Sequence, residues 1–359
     1  MPPLPEVEGY SQLEPLARGG FGVIYRAHQD RFDRVVALKV LSVVDLTDRD
    51  RARFDRECRA MGKLSWHPNV VAVLDSGVTA DGHPYLAMEF VPGGSLAERL
   101  KDGPMAWPDV VEAGIQVAGA LGAAHAAGTL HRDLKPENLL LGPFGEVELA
   151  DFGIAAVEGK GGTTTGLATY TVAHVAPEIL EGRHPDERSD VYGLASTLHT
   201  LATGASPYSG GDGEPIAALI TRVLQAPPPR LDDVPADLAD LLVSGLAKDP
   251  DERPQTAAAF GERLQAVQTA AGRPVTPLRL APVTSGRARG PEGEVDPDAD
   301  TAPVTGEATV VTGGAPQTPV PRLPQEPAAT PTEQAARTGE PPPAAGDENR
   351  SSSPPTVIT

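Results

Sequence analysis

The 359-residue chain has little of several things that particular classes of protein need. Cys58 is its one cysteine, which excludes an internal disulfide and a multi-cysteine zinc site and favours a reducing compartment. Bases number 30 against 49 acids, so the formal charge is −19, which argues against nucleic-acid and polybasic membrane-surface roles. No run of about 18 apolar residues lacks a charge, and the start MPPLPEVEGY has no basic or apolar leader region. We therefore expect a cytoplasmic protein without a transmembrane segment.

Aromatic residues make up 4% of the chain, and none follows Ala271. The same 89 residues hold 17 of the 38 prolines and show no helical or strand period. A segment this poor in large apolar side chains cannot bury enough surface to offset its conformational entropy. We predict a disordered tail over residues 271–359, either a plain spacer or a docking segment for phosphothreonine-binding domains. Its candidate phosphorylation sites are Thr301, Thr309, Thr318 and Thr330.

Short β-rich runs bounded by Gly, Asp or Pro dominate the first quarter of the chain and predict strands at 10–16, 22–28, 35–41, 70–78 and 83–90. One helical period, over residues 49–64, interrupts them. After Val91-Pro92-Gly93-Gly94 the pattern becomes helical, beginning at residues 108–125. We predict a strand-rich unit over residues 1–92, ordered from about residue 10, and a helical unit over 93–270. The cleft between them is the expected ligand site.

Three glycines in four residues, Gly19, Gly20 and Gly22, lie between two predicted strands. Backbone amides can approach an anion closely there because no side chain intervenes, although a tight hairpin would also explain the cluster. The next strand carries Lys39 within an apolar run, and a buried charge needs a partner. Glu57 on the following helix is the candidate partner, with a surface ion pair as the alternative.

The most informative stretch is HRDLKPENLL at residues 131–140. Asp151-Phe152-Gly153 and Ala176-Pro177-Glu178 follow it. The order and spacing of these motifs, downstream of the glycine loop and Lys39, resemble the eukaryotic-like Ser/Thr protein kinase family found in bacteria, over about residues 10–268. The resemblance implies an α+β bilobal protein kinase fold, with a small strand-rich N-lobe carrying one helix and a larger helical C-lobe.

Phosphoryl transfer needs positioning and cancellation of negative charge more than covalent chemistry by the protein. By resemblance, Asp133 is the base that accepts the substrate hydroxyl proton, and Lys135 stabilises the transferring group. Lys135 is also typical of Ser/Thr kinases, so protein Ser/Thr hydroxyls are the expected acceptors. Asn138 and Asp151 offer oxygen ligands that suit Mg²⁺, with Mn²⁺ as an alternative metal.

The resemblance also implies an ATP site. Ile24 and Ala37 would lie above the adenine ring and Leu140 below it, with Met88 as gatekeeper. Lys39, oriented by Glu57, would bind the α- and β-phosphates. The full set of predicted ATP-binding residues is Leu16, Ala17, Arg18, Gly19, Gly20, Phe21, Gly22, Val23, Ile24, Ala37, Lys39, Met88, Glu89, Val91 and Leu140.

The segment between Asp151 and Glu178 is rich in glycine and threonine. Ordering glycine costs much entropy. By resemblance, Arg132 would bind a phosphate on this segment, and that contact would offset the cost. We predict activating autophosphorylation at Thr163, Thr164, Thr165 and Thr169, with simple loop solvation as the alternative. By resemblance, Thr171 belongs to the acceptor pocket, and Glu178 pairs with Arg253 in a structural bridge.

The chain departs from the family pattern at a few positions. Ala17 stands in place of the family's first loop glycine, and we expect this change to alter nucleotide affinity. Val172 and His174 stand in place of the usual residues of the acceptor segment. We expect a structural role for His174. A pseudokinase scaffold and a small-molecule phosphotransferase are the alternatives to an active protein kinase. The set Lys39, Glu57, Asp133, Asn138 and Asp151 favours the active enzyme.

Overall fold

The computed structural model describes residues 4–19, 22–43, 47–152, 172–211 and 213–280. The activation-segment threonines that we predicted as phosphorylation sites, Thr171, and the tail beyond residue 280 lie outside the described residues. The described part begins with strands and continues with helices, so the predicted strand-rich N-terminal part and helical C-terminal part are confirmed. The exact bound between these two parts stays a prediction.

Five antiparallel strands form the N-terminal sheet in the order β1-β2-β3-β5-β4, and a separate pair joins β6 to β7. The strands are β1 (Tyr10–Gly19), β2 (Gly22–Gln29), β3 (Arg34–Leu41), β4 (Val73–Val78), β5 (Pro84–Glu89), β6 (Leu139–Leu141) and β7 (Val147–Leu149). Gly22 begins β2 where a Cβ atom would lie 2.2 Å from the Val40 carbonyl oxygen. A side chain at this position would therefore push β2 away from β3.

The helices are α1 (Asp48–Gly62), α2 (Leu96–Arg99), α3 (Trp107–Ala126), α4 (Pro177–Leu180), α5 (Glu187–Thr203), α6 (Ile216–Gln225), α7 (Ala236–Gly245) and α8 (Ala257–Ala270). Local sequence explains where α5 begins and ends. Asp186 and Ser189 form a reciprocal capping box at its start, and Gly204 ends it at a φ of 79°. No helix in these described ranges has the length and apolarity that crossing a membrane requires.

The main core lies around α3 and α5, whose buried faces carry small and aliphatic side chains. Ile115, Leu121 and Leu198 are fully buried there. The core continues to Phe54 and Met61 of α1, so the one helix of the strand-rich part shares apolar contacts with the helical part. A second cluster, which includes Tyr25, Val36 and Leu38, covers one face of the N-terminal sheet.

The described chain does not end with α8. Residues 273–280 pack against α3 and α8, and the Leu278 side chain joins the main core. Thr276 is held by hydrogen bonds to Gln265 and Gln268 of α8. The predicted start of a disordered tail at Ala271 is therefore too early, because these residues find packing partners outside their own segment.

Candidate active site

The HRD loop, residues 131–138, follows α3 and is shaped by one buried carboxylate. Asp190 of α5 is 2% exposed, and its two oxygens accept hydrogen bonds from the backbone N–H groups of His131 and Arg132, each at 2.8 Å. His125 contacts the same carboxylate at 2.8 Å. Arg132 has a φ of 68°, a strained conformation for a residue with a side chain. These hydrogen bonds offset that strain and hold the backbone beside Asp133.

The carboxylate of Asp133 is held by two neighbours on the same loop. Its Oδ2 accepts hydrogen bonds from Lys135 Nζ at 2.6 Å and from Asn138 Nδ2 at 3.1 Å. Burial by itself would raise the pKa of Asp133, but the Lys135 charge and these hydrogen bonds hold it below the ordinary value. The group is therefore ionised at neutral pH and can accept a proton.

Asp151 lies close to Lys39 at the end of β7. Its Oδ2 is 3.0 Å from Lys39 Nζ, in a salt bridge whose two side chains are largely buried. Asp151 has a φ of 62°, which turns the chain sharply after the strand. His131 supports this turn because its Nε2 lies 2.9 Å from the Ala150 carbonyl oxygen and its ring packs edge-on against Phe152.

The donor set fits a hard divalent cation with few protein ligands. Asp151 Oδ1 is buried and has no hydrogen-bond partner in the structure, so an oxygen suited to a cation remains available. Asn138 donates from its side-chain nitrogen to Asp133, so its side-chain oxygen Oδ1 is the atom that it would offer to a cation. Across the described ranges, no cluster of three or more His, Cys, Asp or Glu side chains is arranged to hold a metal. A metal held by Asn138 and Asp151 would therefore complete its shell with nucleotide phosphates and water, as Mg²⁺ commonly does.

Glu57 of α1 has its salt bridge with Arg53, at 3.4 Å. Its second oxygen, Oε2, is buried without a hydrogen-bond partner, and burial raises the pKa of this carboxyl. The predicted orienting role of Glu57 toward Lys39 stays a prediction.

The predicted adenine-site residues border the N-terminal sheet. Met88 and Val91 are buried in the main core, and Ala37 and Leu140 pack against it. In the β2–β3 register, Ile24 pairs with Lys39. Glu89 ends β5, and Gly20 and Phe21 lie outside the described residues. The remaining predicted ATP-site residues lie along the β1–β2 hairpin: Leu16, Ala17, Arg18, Gly19, Gly22 and Val23.

Glu178 and Arg253 form a bidentate pair, with nitrogen-oxygen distances of 2.8 and 2.7 Å. Both side chains are almost fully buried. Ser189 also donates to Glu178 at 2.7 Å. Burial by itself would raise the pKa of Glu178, but these donors hold it below the ordinary value, so the pair is ionised.

His174 is half-buried beside the active site, and its Nδ1 lies 2.8 Å from the Ser196 hydroxyl of α5. Burial lowers its pKa to about 4, so it is neutral near pH 7. A neutral, hydrogen-bonded histidine fits the structural role predicted for it. Val172 packs against the main core.

Sequence reasoning did not assign roles to His125, His131 or Asp190. Asp190 stands next to the apolar run Val191-Tyr192-Gly193-Leu194, which is a signal of a buried charge with a structural task. Its partners lie 58 and 59 residues earlier, and no local pattern points to them.

Residues 10–264 match the family model described as the protein kinase domain. The chain belongs to the protein kinase domain family. The HRD loop, Lys39 and Asp151 therefore lie in a kinase domain. The resemblance identified from the sequence is confirmed.

Relatives of this kinase domain carry Ser/Thr kinase names. Serine/threonine-protein kinase PknK of Mycobacterium bovis is 45% identical over 289 residues, which are 79% of this chain and 26% of that protein. PknL of Mycobacterium tuberculosis is 40% identical over 260 residues, 70% of this chain and 64% of PknL. Pkn3 of Myxococcus xanthus is 38% identical over 268 residues, 70% of this chain and 48% of Pkn3. The chain thus spans less than two thirds of the length of each of these relatives. Because the PknK match covers 79% of the 359 residues, it extends past residue 280 wherever it begins.

The buried carboxyl of Glu148 should make the stability of the kinase domain depend on pH. Glu148 of β7 is 7% exposed, and burial together with Glu89 and Glu146 raises its pKa from 4.5 to about 7. The folded protein binds the Glu148 proton more tightly than the unfolded chain does. The contribution of Glu148 to the free energy of unfolding therefore falls as pH rises from about 4.5 to 7. We expect Glu148→Gln to stabilise the protein at pH 8 by about 1 to 3 kcal/mol and much less at pH 5. Thermal melts at the two pH values measure this difference.

The exposed Glu112 of α3 supplies the control, since Glu112→Gln should change stability little at either pH. An equal gain for Glu148→Gln at pH 5 and pH 8 would show that Glu148 does not titrate in this range.

Proposed function

We propose that this chain is a Ser/Thr protein kinase that transfers the γ-phosphoryl group of MgATP to serine and threonine hydroxyls of proteins. The observation that carries the proposal is the proximity of a proton acceptor, two cations and two oxygen ligands. Asp133 lies against Lys135 and Asn138, and Asp151 lies against Lys39. The Ala150 N–H donates to the Asn138 backbone carbonyl oxygen at 2.9 Å and joins the two groups. Charge neutralisation and positioning at one point are what phosphoryl transfer requires.

Each residue then has a role in the transfer. The substrate hydroxyl oxygen bonds to the γ-phosphorus, the bond from that phosphorus to the β–γ bridging oxygen breaks, and the hydroxyl proton passes to Asp133. Lys135 balances the negative charge of the transferring group. Lys39 binds the α- and β-phosphates. Bound MgATP supplies the phosphoryl group, with its metal ion held by Asn138 and Asp151.

Two observations support protein serine and threonine as acceptors. Lys135 follows Asp133 by two residues, as is typical of Ser/Thr kinases, and the relatives named above are called Ser/Thr kinases. A partner protein that presents a hydroxyl in an extended segment is the expected substrate class.

The test uses the full chain with radiolabelled ATP, a generic basic protein, and either Mg²⁺ or Mn²⁺. We expect label on phosphoserine and phosphothreonine, faster with Mg²⁺. Asp133→Asn serves as the matched control for contaminating kinases. Nucleotide binding without transfer would indicate a pseudokinase. Label on small molecules but not on proteins would indicate a small-molecule phosphotransferase. Either result would overturn the proposal.

Activation by phosphorylation is the regulation we propose for the same site. Thr163, Thr164, Thr165 and Thr169 belong to the segment outside the described residues, and each phosphate would bring about −1.5 to −2 charges toward Arg132. We expect phosphatase treatment, and replacement of all four threonines by Ala, to lower activity on an external substrate several-fold. Initial rates and mass spectrometry measure both effects.

As a control, Thr221→Ala removes an exposed hydroxyl of α6 that donates to the Ala217 carbonyl oxygen, and it should leave the phosphatase sensitivity intact. Unchanged activity after both phosphatase treatment and the fourfold replacement would refute the switch.

A further inference from the structure

The segment after α8 is attached to the kinase domain by specific hydrogen bonds. We call residues 273–280 the C-terminal strap. Gln268 of α8, which is 4% exposed, accepts a hydrogen bond from the Thr276 N–H and donates to the Thr276 hydroxyl, both at 2.8 Å. Gln265 donates to the Thr276 carbonyl oxygen at 2.8 Å. Three bonds to one residue fix the middle of the strap.

The helices beneath the strap are shaped to receive it. A Cβ atom at Gly119 of α3 would lie 2.5 Å from the Arg279 carbonyl oxygen, and one at Gly122 would lie 2.7 Å from Leu280. At Gly261 of α8 it would lie 2.7 Å from Leu278. Glycine within a helix costs about 0.5 to 1 kcal/mol relative to alanine. Three such positions facing one short segment indicate a groove that is matched to the strap.

The end of the strap binds the turn between α1 and β4. His67 in that turn is 1% exposed, and its Nε2 lies 2.8 Å from the Arg279 carbonyl oxygen. The Asn69 N–H donates to His67 Nδ1 at 3.1 Å, so Nδ1 is the acceptor and Nε2 carries the proton that bonds Arg279. The strap thus fixes both the position and the tautomer of His67.

The same turn leads directly to the active site. Asn69 donates from its side chain to the Val147 carbonyl oxygen and accepts at its own carbonyl from the Leu149 N–H, both at 2.9 Å. Val147 and Leu149 bound β7, and Asp151 follows two residues later. A short path of hydrogen bonds therefore connects Arg279 to the strand that delivers the proposed metal ligand.

We propose that the C-terminal strap is a positioning element of the kinase: by locking His67, it sets the turn before β4, and through Asn69 it holds β7 and Asp151 for MgATP binding. The proposal rests on the proposed function, because it assigns the strap to the same nucleotide site. The match to PknK, which includes these residues, extends beyond the family model that ends at residue 264.

The test compares full-length variants. Gly119→Ala places a methyl group against the Arg279 carbonyl oxygen, and Gln268→Leu removes all side-chain bonds from residue 268 to Thr276. Arg279→Ala is the control, because it removes an exposed side chain and keeps the carbonyl group that contacts His67. We expect the first two variants to bind mant-ATP with Mg²⁺ about five- to tenfold more weakly, as for the loss of one buried hydrogen bond, and the control to bind normally.

Amide hydrogen exchange provides a readout that does not depend on phosphoryl transfer. Peptides that span residues 65–73 and 145–152 should exchange faster in Gly119→Ala and Gln268→Leu than in the parent or in Arg279→Ala. Faster exchange confined to residues 261–280, or a lower unfolding temperature with unchanged mant-ATP affinity, would reduce the strap to a purely stabilising segment and overturn the proposal. If the parent binds mant-ATP but transfers no phosphate, the proposed function fails while affinity and exchange still decide the role of the strap.

Discussion

Replacing Asp133 with Asn should lower the rate of phosphoryl transfer by a factor of ~10² to 10⁴ while the protein stays folded. The amide keeps the shape of the side chain and an oxygen for Lys135, but it cannot take up the hydroxyl proton. It also loses the negative charge that Lys135 and Asn138 hold in the ionised form. Initial rates at saturating MgATP, with a thermal melt of the same sample, measure the two quantities separately.

Glu137 offers a matched control on the same loop. Its carboxyl is exposed, so Glu137→Gln changes the loop charge equally and should leave the rate within about twofold. Lys39→Met and Asp151→Ala should also abolish transfer, and both should weaken MgATP binding, which Asp133→Asn should not. Retention of more than about a tenth of the rate by Asp133→Asn would defeat the base assignment.

Replacing Arg253 with Met should destabilise the kinase domain by about 3 to 5 kcal/mol, because it leaves the Glu178 carboxylate buried without its cation. The guanidinium also donates to the carbonyl oxygens of Ala247, Lys248 and Arg188. These acceptors lose their partner in the same variant. Urea unfolding followed by circular dichroism measures the change in the free energy of unfolding.

Two companion variants make the cause identifiable. Arg183→Ala breaks an exposed pair with Glu181 and should cost about 0 to 1 kcal/mol. Combining Arg253→Met with Glu178→Gln removes the unpaired charge and should recover part of the loss. Because the folded-state pKa of Glu178 is depressed, the contribution of the pair is present at neutral pH and is lost as pH falls through that pKa. A loss below about 1 kcal/mol for Arg253→Met at pH 7 would contradict the buried-charge explanation.

Local patterns predicted the secondary structure well. The β-rich run at residues 35–41 and the helical period at 49–64 correspond to β3 at Arg34–Leu41 and α1 at Asp48–Gly62. The same run placed Lys39 in a strand, and a charge inside an apolar run predicted a partner, for which Glu57 was the candidate. Its salt bridge with Asp151 joins residues 112 positions apart in the chain, and no local periodicity encodes a contact at such a separation.

The strap shows why composition alone placed the start of the disordered tail too early, at residue 271. Residues 273–280 have no period and two prolines, so they resemble the tail that follows them. The signal for their order lies in other elements, at Gly119 and Gly261, where small residues leave room for a partner that comes later in the chain. An isolated helical glycine has several explanations, and the partner becomes evident only when the helices are assembled.

The placement of Asp190 has a consequence for synthesis on the ribosome. The HRD loop takes its shape from a carboxylate that is translated 59 residues after His131. A nascent chain that has emerged only as far as Asp151 therefore carries the base and the proposed metal ligands without the helix that sets their geometry. Domains generally fold as units during translation, and Arg253 and the strap also pack into this one, so catalytic competence should appear in one step after residue 280 has left the exit tunnel. Until then the nascent chain should not phosphorylate its neighbours on the polysome.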